Sequence, residues 1–139
     1  ELEILESMGK TSADTEVNPV IPIDSVLKTR KLVNDIYMDE KVKHYILDLV
    51  FATREPTQCK LDIGPFIQVG ASPRATIALT VASKAWALLQ GRAFVTPQDV
   101  KTIGADVLRH RVIASYEAEA EGVSSEDILN KIFETVPVP

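Results

Sequence analysis

The sequence predicts a mainly α-helical domain, a bundle of about four to five helices joined by loops and short extended segments, on three observations. Val42, Tyr45, Ile46, Leu49 and Val50 fall at i, i+3, i+4, i+7 and i+8, which puts them on one helical face. From Pro73 to about Gln90 the chain is rich in Ala, Leu, Ile and Val, and Gly91 then supplies a residue suited to ending a helix. Thr96-Pro97-Gln98-Asp99 and Ser124-Ser125-Glu126-Asp127 are helix starts, each with a hydroxyl that can cap and an acid three residues on.

In chain order, Glu1 to Met8 reads like the middle of a helix, and without a methionine start it implies a piece cut from a longer protein. Residues 9–23 hold Gly9, Pro19 and Pro22 and no helical period, which predicts a linker. From Asp24, which can cap, Val26, Leu27, Leu32, Val33, Ile36 and Tyr37 recur on one face. Asp39 can cap the next helix, and these two helices are expected to form an antiparallel pair. Pro56, Gly64, Pro65 and Gly70 turn residues 54–70 into a loop or short extended segment.

The helix from Pro73 is apolar on more than one face, so it is expected at the centre of the domain with several neighbours. Ala93-Phe94-Val95 should be extended. Pro97 suits the first turn of the following helix because it has no N–H to leave unpaired, and that helix continues through Val100, Ile103 and Val107. Val112-Ile113 should also be extended. The last helix is expected to bury Ile128, Leu129, Ile132, Phe133 and Val136, after which Val136-Pro137-Val138-Pro139 reads as a natural terminus.

With 45% hydrophobic and 25% charged residues among 139, the chain has the composition of a globular domain and can bury a core. Cys59 is the only cysteine, so no disulfide framework exists and a reducing compartment is expected. No run of about 18 apolar residues and no basic leader is present, which excludes a helical membrane span or a signal peptide here and predicts a cytoplasmic chain. The net charge of −5 is concentrated in residues 1–16, where five acids face Lys10, leaving −1 for the rest. A nucleic-acid binder needs a basic face, and none is evident.

The segment with chemical content is Gly70-Ala71-Ser72-Pro73-Arg74-Ala75. Gly70 permits a sharp turn, Ser72 can cap, and Pro73 fixes the first helical turn. Arg74 then sits where the helix dipole disfavours a cation by about 0.3–1 kcal/mol. A phosphate would compensate it, bound by exposed N–H groups and a guanidinium. The competing account is a surface arginine paired with a neighbouring acid, worth about 0–1 kcal/mol.

This run resembles the second-sensor motif of the MoxR family of AAA+ ATPases. Leu88-Leu89-Gln90-Gly91-Arg92, Phe94-Val95-Thr96-Pro97-Gln98-Asp99-Val100, Val107-Leu108-Arg109-His110-Arg111 and the tail from Tyr116-Glu117-Ala118-Glu119 to Val136-Pro137 resemble the same family's lid in the same order. The resemblance covers residues 70–139 almost continuously. It implies that residues 24–139 form an AAA+ C-terminal helical lid, that 9–23 are a linker and that 1–8 end the large ATPase subdomain. It further implies ATP and Mg2+ in a full-length parent, with Arg74 reaching the γ-phosphate as a catalytic and nucleotide-binding residue. Pro73 and Ile77 would wall the adenine, with core packing as the competing role for Ile77.

No G-x-x-x-x-G-K-[ST] and no apolar run ending in paired acids occurs in the chain, so by itself it should neither hydrolyse ATP nor hold a nucleotide or metal. The implied parent is a chaperone-like remodelling ATPase. Its implied partners are its own large subdomain, neighbouring subunits of a ring, commonly a hexamer, and proteins with von Willebrand factor A-type domains. The alternative is a non-enzymatic helical protein–protein interaction module in which Arg74 forms a salt bridge.

Other residues carry bland readings. His44 and His110 lack partners at metal-ligand spacing, and each reads as a surface or helix-end residue. Arg109 and Arg111 suit a helix C-terminus. Tyr116 to Glu121 reads as a solvated helix or loop, and Trp86 as core.

Overall fold

A computed structural model describes residues 1–9 and 18–139. Most of the expected linker, residues 10–17, lies outside the described residues. Two compact units are present, Glu1–Arg30 and Lys31–Pro139. The first contains α1 (Leu2–Met8), closed by the Gly9 N–H donating to the Leu5 carbonyl at 2.8 Å. It also contains the start of α2 (Ile23–Asp35). Asp24 lies in the first turn of α2 rather than before it, and none of its residues is buried. Val26, Leu27 and Leu32, which recur on one face of α2, are each about half exposed among the described residues.

The second unit is helical, with α3 (Glu40–Ala52), α4 (Arg74–Leu89), α5 (Pro97–Leu108), α6 (Tyr116–Glu121) and α7 (Ser125–Thr135). A two-stranded antiparallel ribbon of β1 (Ile67–Val69) and β2 (Ile113–Ala114) pairs Ile67 with Ala114 and Val69 with Ile113. Within this unit the helices packed on α3 are α4, α5 and α7.

α3 follows its sequence pattern closely. Asp39 caps it, accepting from the Lys41 N–H at 2.9 Å, and Val42, Tyr45, Ile46, Leu49 and Val50 are all buried. Between α3 and β1 lie two 3-10 turns, Pro56–Cys59 and Gly64–Phe66, so the proline- and glycine-rich stretch is folded rather than merely looped. α7 opens with the Ser124/Asp127 capping box and buries Ile128, Leu129, Ile132 and Phe133, as its spacing requires. Its Phe133 ring fills the space over Gly104 of α5, where an added Cβ would come within 2.5 Å of the ring.

The central position expected for α4 holds on one face only. Ala75, Leu79, Ser83 and Ala87 form a buried line at four-residue spacing, and small residues along it let α4 lie close against α5. Ile77, Val81 and Leu89, on other faces, are 66%, 54% and 74% exposed, and Trp86 is only half-buried. α4 ends in a full Schellman arrangement: Gly91 takes φ +70°, its N–H donates to the Leu88 carbonyl, and the Arg92 N–H donates to the Ala87 carbonyl.

Immediately after this turn, Arg92 clamps the start of α5. Its two terminal nitrogens donate to the two carboxylate oxygens of Asp99 at 2.8 and 2.5 Å. Asp99 is only 4% exposed, and it also accepts from the Thr96 N–H and hydroxyl at 2.7 and 2.8 Å while its own N–H donates to the Thr96 hydroxyl. Phe94, between them, gives its carbonyl to Arg92, and Tyr37 and Phe94 meet in a short parallel bridge.

Burial pushes the Asp99 carboxyl upward, but the Arg92 guanidinium and the two Thr96 donors outweigh it and hold the group below the usual carboxylate range. A depressed folded value means the stabilisation is complete above the unfolded value of about 4 and disappears as pH falls through the folded one. We therefore expect the melting temperature to be insensitive to this group near neutral pH and to fall once the pH drops below about 4. Asp99→Asn should lower the melting temperature at pH 7 and flatten, without abolishing, the acid limb, since Asp39 and Asp127 are lowered as well. An unchanged acid limb in the variant would refute the role assigned to Asp99.

Candidate functional site at the start of helix α4

The end of α3 and the start of α4 are tied together by one buried hydroxyl. Thr53, fully buried, donates to the Val50 carbonyl at 2.7 Å and accepts from the Ala71 N–H at 2.9 Å. Gly70 completes the joint. A Cβ on Gly70 would sit 2.3 Å from the Thr53 carbonyl oxygen and 2.8 Å from Cγ of Arg54, so only glycine lets the two segments approach this closely. Its φ is not in the left-handed region. The glycine that the sequence suggests for a sharp turn is needed instead for contact.

Ser72 also acts differently from expectation. Its carbonyl, not its hydroxyl, begins the helix, accepting from the Ala75 N–H at 2.8 Å, and the Pro73 carbonyl accepts from the Thr76 N–H at 3.1 Å. Pro73 already has helical backbone angles. These tight bonds use the N–H groups of Ala75 and Thr76, and Pro73 has none to offer. The guanidinium of Arg74 is then the charged donor that this corner offers an anion.

Arg74, Pro73 and Ile77 are all exposed, and they occupy adjacent positions on the first turn of α4. The burial of Ile77 considered from the sequence is overturned: at 66% exposure it packs no core, because the buried line of α4 runs through Ala75 and Leu79 instead. Among the described residues Arg74 forms no ion pair, in contrast to Arg92 with Asp99 and Arg109 with Asp106 and Glu126. The corner thus presents an exposed guanidinium, unpaired among the described residues, on a bonded backbone and beside two apolar side chains. Such a set can receive a phosphate and a flat apolar group together.

The remaining candidates resolve as structure. Arg111 Nε donates to the Val107 carbonyl at 3.0 Å, closing the end of α5. His44 Nδ1 lies 2.9 Å from the Glu40 carbonyl one turn back. The Tyr116 to Glu121 run is a short helix capped by Ser115, with Ala118 buried and its acids in solvent. Among the described residues no group of three His, Cys, Asp or Glu side chains could hold a metal, and no helix is long and apolar enough to cross a membrane. Thr53 is the residue that sequence reasoning missed. Its signal is a lone hydroxyl directly after the apolar run Leu49-Val50-Phe51-Ala52, where a helix end needs a polar partner.

The helical unit with its small antiparallel ribbon has the architecture of an AAA+ helical lid. The family described as AAA lid domain matches residues 60–132, and the chain belongs to that family. It is 34% identical over its whole length to the Chaperone MoxR1 of Mycobacterium tuberculosis, of which it spans 37%. It is also 36% identical, over 70% of its length, to Protein MoxR of Paracoccus denitrificans, of which it spans 31%. A crystal structure of a candidate ATPase from Cytophaga hutchinsonii superposes with a TM-score of 0.88 at 36% identity, covering 99% of this chain and 42% of that one. The lid is thus of MoxR type, and the chain spans about two fifths or less of the relatives it matches.

The Thr53–Gly70 joint gives a direct expectation. Gly70→Ala should destabilise the chain by about 1–3 kcal/mol through overpacking against backbone. Gly64→Ala, whose added Cβ would meet nothing closer than 3.7 Å, should leave stability nearly unchanged. Equal melting temperatures for the two variants would count against the joint.

Proposed function

We propose that this chain is the lid of a longer AAA+ ATPase of MoxR type, residues 24–139 forming the lid and 1–8 ending the large subdomain, and that Arg74 is its second-sensor arginine. The observation that carries the reading is the exposed Arg74 guanidinium, unpaired among the described residues, on a helix start pinned by Thr53 and Gly70. ATP, with Mg2+, would supply a phosphoryl group that gathers negative charge as it transfers. Arg74 would hold that charge with up to two parallel N–H donors. Pro73 and Ile77 would lie against the base, excluding water from one of its faces.

The parent would then be a chaperone-like ring ATPase, commonly a hexamer, working in the cytoplasm on partner proteins, those with von Willebrand factor A-type domains among them. Nothing in this chain provides a phosphate-binding glycine loop. Arg74 is accordingly half of a site, and coupling between nucleotide and lid position follows from that division.

In the parent, Arg74→Ala should lower ATP turnover by about 10²-fold, as loss of one preorganised donor to a developing charge does. The melting temperature should not change, because the side chain is exposed. Undiminished turnover would remove Arg74 from the mechanism. The isolated chain should show weak or no ATP binding in calorimetry, and micromolar binding there would overturn the half-site reading.

A further inference from the structure

We infer that Arg54 is a second phosphate-binding residue of the same site, contacting the nucleotide's polyphosphate chain beside Arg74; this rests on the nucleotide reading above. Arg54 is the first residue beyond the Thr53 joint. Its backbone is fixed by the bond from its own N–H to the Phe51 carbonyl at 2.9 Å and by the Thr53 hydroxyl between Val50 and Ala71. The Arg54 stem lies on Gly70, where a Cβ would meet its Cγ at 2.8 Å. The close approach that Gly70 permits thus places an arginine against the loop that leads, four residues later, into Arg74.

Both arginines are exposed, and neither forms an ion pair among the described residues. Glu55 follows Arg54 directly and lines the same polar cleft of about 280 Å³ with Thr53, Thr57, Gln68 and Gly70, without forming an ion pair with it. A cation after the last turn of α3 suits that helix's dipole, which accounts for a positive charge there but not for its seating on the α4 entry loop. Arg54 and Arg74 stand at the two ends of the 70–74 segment, Arg54 through its stem on Gly70. An anion with several oxygens can engage two guanidinium forks at once, and a polyphosphate is such an anion.

The test uses the full-length parent and titrates fluorescent ATP and ADP analogues into wild type, Arg54→Ala, Arg54→Lys, Arg74→Ala and the double alanine variant. We expect Arg54→Ala to weaken binding of the ATP analogue about tenfold, with partial recovery in Arg54→Lys and a shallower dependence of affinity on salt. The double variant should lose less than the product of the two single losses, because both residues grip one chain of phosphates. Thermal melts of Arg54→Ala should match wild type, since the side chain is exposed. If Arg54→Ala leaves both affinities unchanged while Arg74→Ala weakens ATP binding, the assignment of Arg54 is wrong and the sensor reading stands. If Arg54→Ala lowers turnover without changing either affinity, Arg54 acts on another protein surface and the inference is likewise overturned. If Arg74→Ala has no effect on binding or turnover, the sensor reading itself fails.

Discussion

The carboxylate of Asp99 is the point on which the helical arrangement turns. It receives the Arg92 fork, the Thr96 hydroxyl and the Thr96 N–H, so a group that would be costly to bury alone is satisfied on several sides. Pairing of this kind contributes direction more than net stability. Arg92 stands just past the Gly91 turn that ends α4, and Asp99 stands in the first turn of α5. The bond between them therefore fixes the angle at which the most extensive helix contact of the unit, α4 on α5, is made. The buried line of Ala75, Leu79, Ser83 and Ala87 runs along α4 between its clamped ends, and on α5 Gly104 leaves the space that Phe133 of α7 fills.

The opposite end of α4 is held by a different chemistry with the same effect. At its start the Thr53 hydroxyl bridges the Val50 carbonyl and the Ala71 N–H, and the missing Cβ of Gly70 allows backbone to touch backbone. α4 is thus clamped at both ends by polar groups and packed along one face by small residues. Its remaining apolar residues, Ile77, Val81 and Leu89, are left on the surface of a helix that cannot readily rotate to hide them.

Much of this was legible in the residues. The capping boxes at Thr96 and Ser124, the Asp39 cap, the Gly91 stop and the apolar face of α3 are local or strictly periodic features, and each is found where its spacing puts it. The errors share a cause. Periodicity says that a face is apolar but not what covers it, so α2 reads as a packed helix and Ile77 as a core residue, while both are exposed. Residue type likewise says that Gly70 and Ser72 are permissive at a turn, but not that one serves a contact with Thr53, 17 residues earlier, and the other serves through its carbonyl. The Arg92 partner of Asp99 was hidden for the same reason, since the cap of α5 explains Asp99 without it. For the site, the sequence indicates Arg74 by position and by resemblance. Its exposure, its lack of an ion pair among the described residues and the rigidity of its backbone are tertiary facts.

Those tertiary facts matter to how such a site could work. An arginine already paired, as Arg92 is, answers an incoming phosphate only by giving up its partner, and the exchange leaves little net energy to move anything. An exposed arginine at a helix start costs about 0.3–1 kcal/mol in its empty state, and an anion both removes that cost and adds a charge-assisted bond. A ligand shifts an equilibrium only by its differential interaction with the two states, so the largest difference comes from a guanidinium that is free in one state and paired in the other. That difference reaches the rest of the unit only if the arginine's backbone cannot yield. The Thr53 joint makes yielding costly, because displacing Arg74 means separating Ala71 from Thr53 and α4 from α3. On the proposed reading, then, the exposure of Arg74 and the burial of Thr53 are two halves of one device: the first supplies an energy that depends on the phosphate, and the second transmits it to the whole helix rather than to a side chain.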